Sequence, residues 1–362
     1  MFLLKLKKLT AMILAGVFAL GSFGISQAAS REEIAAIKVE KASDFKYWND
    51  DSQTKQKIID FVEDATNPNS KNFIPVEDRI ATFDMDGTFY CETAPLYFQE
   101  VMFFHRALED KNFNAPKDMV NFAKKIKPKV YNKTGLTAAE SKKYFNYLTK
   151  AYAGMTSEEY RAYVRNFMND NETGLTNLKR GEAFYLPMVE VISYLTNNGF
   201  AVYVDTACGV DTTRELLGNI FPIRYDRILG SDFKFTSTGM GKDSPDQHFF
   251  DRHKEKIVIS GEPLTDNGKT RKIFSILNSI GKRPVLAFGN SSGDTSMFEY
   301  TLQNDKYQTA AFYVLCDDTE RELGKPERAE KEKALAAQRG YNTISMRDDW
   351  KTIYGDNVKV VK

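Results

Sequence analysis

Short apolar runs separated by longer amphipathic stretches dominate the chain beyond residue 75. Ile80-Ala81-Thr82-Phe83 is the sharpest of them and stops abruptly at Asp84. Runs of the same style occur at 200–204, 227–229, 285–288 and Ala310–Leu315. Strands that are apolar on both faces fit a parallel sheet covered on both sides. Between them the period becomes helical. Residues 186–195, opened by Pro187 and closed by Asn198-Gly199, predict one such helix. Strands alternating with helices predict an α/β fold with a parallel sheet, whose ligands bind outside the carboxyl ends of the strands.

Residues 84–199, between the first two strands, are far more than one crossover needs, and most of them read as helix. Tyr160, Tyr163, Val164, Phe167 and Met168 recur at helical spacing, while Thr137 with Glu140 and Thr156 with Glu159 form capping-box pairs. The segment predicts a helical insertion beginning just after Asp84 and therefore lying over the strand ends. Residues 29–75 are polar and helical, with Ile58, Ile59, Phe61 and Val62 as an apolar stripe.

The start of the chain has a different character. Lys5, Lys7 and Lys8 precede an apolar run over 9–25, and Ser26-Gln27-Ala28 supplies small residues at a cleavage spacing. This predicts a signal peptide over 1–28 and an exported protein, periplasmic or extracellular, without stable membrane insertion afterwards. The remaining division is a leader over 29–75, a core from 76–93 and 182–362, and a helical cap over 94–181. Lys and Arg number 50 against 49 Asp and Glu. That balance argues against nucleic acid as a partner. Three cysteines, Cys91, Cys208 and Cys316, are too few for a disulfide framework. A Cys91–Cys208 bridge and buried free thiols are the alternatives, and free thiols are the simpler one.

The segment with the clearest chemistry is Phe83-Asp84-Met85-Asp86-Gly87-Thr88. Two carboxylates two residues apart leave the end of a buried strand, and a turn at Gly87 lets both reach one site. One carboxylate can then attack phosphorus while the other passes a proton to the leaving oxygen.

This segment resembles the haloacid dehalogenase superfamily, and within it the phosphoserine-phosphatase-like branch with a helical cap. The resemblance implies a three-layer Rossmann-like core, Asp84 as nucleophile and Asp86 as general acid/base. It implies Thr206, at the end of the second strand, as a phosphate-binding hydroxyl, aided by backbone at Ala207. Asp205 departs from the apolar residue usual there. Lys269, in Asn267-Gly268-Lys269, matches the phosphate-neutralising lysine, with Lys272 as the competing choice. In Gly289-Asn290-Ser291-Ser292-Gly293-Asp294 the family places its metal-binding acids. The Asp84 carboxylate, the Asp86 backbone carbonyl and Asn290 would thus hold Mg²⁺ directly, with Asp294 direct or through a water. Glu92 lies one residue off the spacing of a substrate-contacting glutamate.

The reading is a Mg²⁺-dependent phosphatase acting on a small phosphomonoester through an aspartyl phosphate. A phosphotransferase would share that intermediate. An extracellular protein that merely binds a phosphorylated ligand is the rival from another class, favoured by Asn290 and Asp205. Tyr97, Phe98, Phe103 and Phe104 permit a cationic head group against ring faces, although helix packing explains them equally.

Overall fold

The structure is a computed structural model that describes residues 28–362. Apart from Ala28, the predicted signal peptide lies outside the described residues. The strands in chain order are β1 (Ile80–Phe83), β2 (Ala201–Gly209), β3 (Ile228–Ser231), β4 (Phe235–Ser237), β5 (Ile257–Ile259), β6 (Leu286–Gly289), β7 (Ala310–Leu315) and β8 (Asn342–Ser345). Six of them form one sheet in the order β3-β2-β1-β6-β7-β8, parallel at every pairing. β4 and β5 form a separate antiparallel pair.

The parity of the strands explains their uniformly apolar sequences. Phe83, Leu286, Phe288, Phe312, Val314 and Ile344 point into one core layer. Ala287, Ala311, Tyr313 and Leu315, the alternate residues, point into another layer with Met297, Phe298, Ala329 and Ala336. Both faces of the sheet are therefore covered, so nearly every position of the central strands β1, β6 and β7 is buried. The fold is α/β with a covered parallel sheet. Rings of Phe83, Phe288 and Phe312 stack across neighbouring strands, with centroids 4.3 and 5.0 Å apart.

The chain runs outward from β1 through β2 to β3, then returns to the other side of β1 as β6. The crevice between β1 and β6 is a topological switch point, and ligands of open α/β sheets settle there.

Four helices fill most of the interval between β1 and β2: Phe98–Leu108, Lys117–Tyr131, Ala138–Lys150 and Ser157–Phe167. Thr137 and Thr156 each cap a helix with the side-chain oxygen, and their own amides donate back to the carboxylates of Glu140 and Glu159. The helix Leu186–Asn197 then leads into β2, and Gly199, with φ of 79°, makes the turn. Near the start of the described chain, the helix Gln53–Thr66 buries Ile58, Ile59, Phe61 and Val62, and Thr54 Oγ1 donates to the Thr343 carbonyl of β8 at 2.8 Å. Trp48 sits edge-on to Trp350, with its indole N–H on the Pro187 carbonyl at 2.8 Å. Cys91, Cys208 and Cys316 are buried free thiols. Among the described residues no helix is long and apolar enough to cross a membrane.

Candidate active site

The ladder between β1 and β6 continues one residue past β1, because the Asp84 amide donates to the Phe288 carbonyl at 2.9 Å. That bond fixes the backbone from which the Asp84 carboxylate projects. Beyond it the chain turns tightly. The amides of Thr88, Phe89 and Tyr90 all point at the Met85 carbonyl, and the Gly87 amide donates to the Tyr90 carbonyl at 2.6 Å. Gly87 has φ of +79°, and a Cβ there would lie 1.9 Å from Asn290 Nδ2. Only glycine both adopts this backbone and leaves room for the asparagine. The turn delivers Asp84 and Asp86 to the same cavity, of about 300 Å³.

Lys272 lies opposite them. Its ammonium donates to Asp84 Oδ1 at 2.7 Å and to Asp294 Oδ1 at 2.6 Å. Its residue is 1% exposed. Lys269, which the resemblance put in this role, is exposed, has φ of 56° and precedes the helix Thr270–Ser275. The correction follows from helix geometry. Lys272 and Ile276 are four residues apart and both buried, so Lys272 occupies the stripe that faces the sheet. A lysine in register with an apolar stripe was the available sequence signal.

The other strand ends complete the floor. Thr206 is 1% exposed at the C-terminal part of β2, and its hydroxyl accepts from the Cys208 amide at 3.1 Å. Its own proton remains to be donated to a ligand oxygen. Ala207 follows it on the cavity wall. Asp205 points the other way from its neighbour and is fully buried. Its Oδ1 accepts from Asn267 Nδ2 at 2.8 Å, and the same amide group donates to the Thr206 carbonyl at 3.1 Å. Asn267 therefore ties the Thr206 loop to the segment carrying Lys272, a link the sequence did not reveal.

After β6, Asp294 Oδ2 accepts from the amides of Asn290 and Ser291 at 3.1 and 3.0 Å, and from the Ser291 hydroxyl at 3.1 Å. With Oδ1 on Lys272, both oxygens of Asp294 are engaged. Asp294 shapes the loop and fixes the lysine, so it would meet a metal through a water rather than directly.

Glu92 lines the cavity but faces a basic cluster outside it. Arg328 Nη1 lies 3.1 and 3.2 Å from its two oxygens, and Lys325 Nζ is 3.8 Å away. Tyr97 donates to the same carboxylate at 3.1 Å, and Arg328 reaches the Asn290 carbonyl at 3.4 Å. Arg328 comes from the helix Pro326–Arg339, too distant in sequence to be paired with Glu92 by spacing. The arginines of the inserted helices are engaged elsewhere. Arg106 pairs with Asp110, Arg161 with Asp211, Arg165 with Glu215 and Arg180 with Glu172. His105 packs on Phe167 and hydrogen-bonds Tyr163.

Charge is unbalanced here. Asp84, Asp86, Glu92, Glu100 and Asp294 line the cavity, and Lys272 is its one lysine or arginine. Burial pushes the Asp84 carboxyl up, the Asp294 charge adds to this and Lys272 opposes it, leaving the group at about 7. Burial, then the charges of Asp84 and Glu92, hold Asp86 well above the usual carboxylate range. Burial works against the Lys272 charge, but Asp294, Asp84 and Asp205 outweigh it and raise its pKa.

These groups suit a hard divalent cation. Asp86 Oδ1 is buried without a hydrogen-bond partner, in the cavity that Asp84 and Asn290 also line. Among the described residues no three His, Cys, Asp or Glu side chains are grouped to hold a metal by themselves. The Asp84 carboxylate, the Asp86 backbone carbonyl and the Asn290 amide oxygen nevertheless suit Mg²⁺, which takes oxygen ligands and keeps several waters.

No family model matches the chain. No curated protein matches it either. Several solved structures are similar at 12–13% identity. A conserved protein of unknown function from Anaerococcus prevotii is 12% identical, with 88% of this chain and 98% of that one covered and a TM-score of 0.48. Cytosolic 5'-nucleotidase IIIB bound to cytidine is 12% identical, covering 83% and 87%, with a TM-score of 0.44. A phosphoserine phosphohydrolase-like protein from Francisella tularensis is 13% identical, covering 74% and 94%, with a TM-score of 0.36. With every one of these scores below 0.5, the reading of the site rests on its own geometry.

Proposed function

We propose that this chain is a Mg²⁺-dependent phosphatase of small phosphomonoesters, working through a phosphoryl group on Asp84. The observation that carries the reading is the pairing of Asp84 and Asp86 in one cavity at the β1 end, with Lys272 bonded to the first of them. Binding alone needs no such nucleophile.

In the proposed reaction the Asp84 carboxylate attacks phosphorus as the bond to the ester oxygen breaks. Asp86 gives its proton to that oxygen, and the alcohol leaves. Asp86, now a base, takes a proton from water, whose oxygen attacks the phosphorus of the aspartyl phosphate. Phosphate departs, and both carboxyl groups return to their starting states. The raised Asp86 pKa suits the donor role. Lys272 keeps a positive charge beside the transferred group, and the Thr206 hydroxyl with nearby backbone N–H groups orients its oxygens. The Asp84 carboxylate, the Asp86 backbone carbonyl and Asn290 would hold Mg²⁺, with Asp294 beyond a water, and the ion would neutralise phosphate charge.

Asp84→Asn tests the reading. Turnover of an aryl phosphate should vanish while circular dichroism stays native. Full activity in a clean preparation of the variant would refute it. Added alcohols separate hydrolysis from transfer, because a transferase would form new phosphate esters. Export is part of the same proposal and places the mature N-terminus at Ala29.

A further inference from the structure

The inner half of the cavity is polar and holds the reacting groups. Its outer half is different. Tyr97 and Phe98, at the start of one inserted helix, and Tyr144, Phe145 and Leu148 from another line it. Phe103 and Phe104, which the sequence offered alongside Tyr97 and Phe98, are buried in the packing of these helices and do not line it. Phe145 is 62% exposed at the mouth.

Glu100 is the charged group of this outer half. Its Oε2 accepts from the Tyr97 amide at 3.3 Å, which caps the helix. Among the described residues no lysine or arginine lies within ion-pair distance of it, whereas Glu92 is answered by Arg328 and Lys325. Burial raises the Glu100 carboxyl, and the Tyr97 amide, the Tyr144 hydroxyl and the more distant charge of Lys133 offset that only in part. Among the lining side chains of this half, a second anionic group of a substrate would meet Glu100 and rings. Its cost would be high, because the lone lining cation is already bonded to two aspartates. At about 300 Å³ the cavity sits at the small end of the range for small-molecule sites.

We infer that the leaving group is a small cationic alcohol, an ammonium-bearing head held between the rings of Tyr97, Tyr144 and Phe145 with Glu100 as its counter-ion. This rests on the phosphatase reading for its inner half. Aromatic faces attract ammonium groups, most strongly where water is scarce. Glu100 is the specificity-determining residue.

The test uses phosphonates, which bind without turning over. The pair is 2-(trimethylammonio)ethyl phosphonate and its uncharged carbon isostere, 3,3-dimethylbutyl phosphonate, titrated calorimetrically into the full protein with Mg²⁺. The ammonium compound should bind about tenfold tighter. In Glu100→Gln, which retains the capping bond, that ratio should fall toward one. Equal binding of the pair by the wild type overturns the inference, as does a ratio unchanged by Glu100→Gln. Aryl phosphate turnover, measured in parallel, reports on the phosphatase reading separately. Its absence with the ratio intact would sink the chemistry and leave the head-group assignment standing.

Discussion

Exchanging Lys272 for methionine separates the two lysines and measures the site's electrostatics. Methionine keeps most of the length and apolar stem but removes the ammonium. The structure then leaves Asp84 and Asp294, 7% and 1% exposed, without the cation that touches both. Removing one partner of a buried ion pair costs about 3–5 kcal/mol. With a urea m-value of about 3 kcal/mol per molar, the unfolding midpoint should fall by about 1 M or more. The loss depends on pH in a fixed direction. Burial already holds the Asp84 carboxyl at about 7, above its unfolded value, and without Lys272, which opposes that rise, it goes higher still. Such a group weakens the fold as pH rises through that interval, so the deficit should shrink from pH 8 toward pH 4. In the wild type the Lys272 pKa is raised, so its stabilisation is fully present throughout this range. Lys269→Met is the control. Lys269 is exposed, and its loss should change stability by no more than about 0.5 kcal/mol. Urea titrations of both variants at pH 4, 6 and 8, with aryl phosphate assays beside them, supply the answer. A Lys272→Met protein as stable and active as wild type would refute the reasoning, most clearly if Lys269→Met failed instead.

Gly87→Ala should be inactive and less stable, because φ of +79° alone costs about 1–2 kcal/mol for alanine and the new Cβ collides with Asn290; thermal unfolding and turnover measure the two effects. Asp86→Asn should slow alkyl esters more than nitrophenyl esters, which need no acid for departure, and equal losses would remove Asp86 from the proton-transfer role. Asp205, fully buried and at about 7 in the folded state, has a raised pKa, so its ionisation weakens the fold as pH rises from about 4 to about 7. Asp205→Asn should relieve at most about 4 kcal/mol of this at pH 8 and little at pH 4, as unfolding curves at both values would report. EDTA should remove activity and Mg²⁺ restore it, while Asn290→Asp should lower the Mg²⁺ concentration needed; an identical titration would exclude Asn290 as a ligand.

Sequence pattern carried much of the sheet and part of the site, and the boundary between success and failure is physical. Ile80–Phe83 and Ala310–Leu315 stand out because both faces of each strand are buried. β2 extends to Gly209, past the expected end at 204–206, because Asp205 and Gly209 still pair with β3 across an irregular register. β8 went unread: it is an edge strand with Ile344 as its single buried residue. β4 and β5 pair three residues each across a long loop, too short for an alternating pattern to register. Asp84 and Asp86 were legible because adjacent backbone alone brings them together. Lys272 needed the helix phase as well as the motif. Arg328, Asn267 and Glu100 act through contacts between distant segments, which local spacing does not encode.

The central claim is that Asp84 becomes phosphorylated during turnover. It is tested by mixing protein with an aryl phosphate and Mg²⁺, quenching in acid within the first turnovers, and analysing peptides by mass spectrometry. The account predicts one added phosphoryl group on the peptide containing Asp84, discharged when the quench is delayed after substrate is exhausted, and absent from Asp84→Asn. Turnover without an adduct on that peptide, together with an active Asp84→Asn protein, would contradict it.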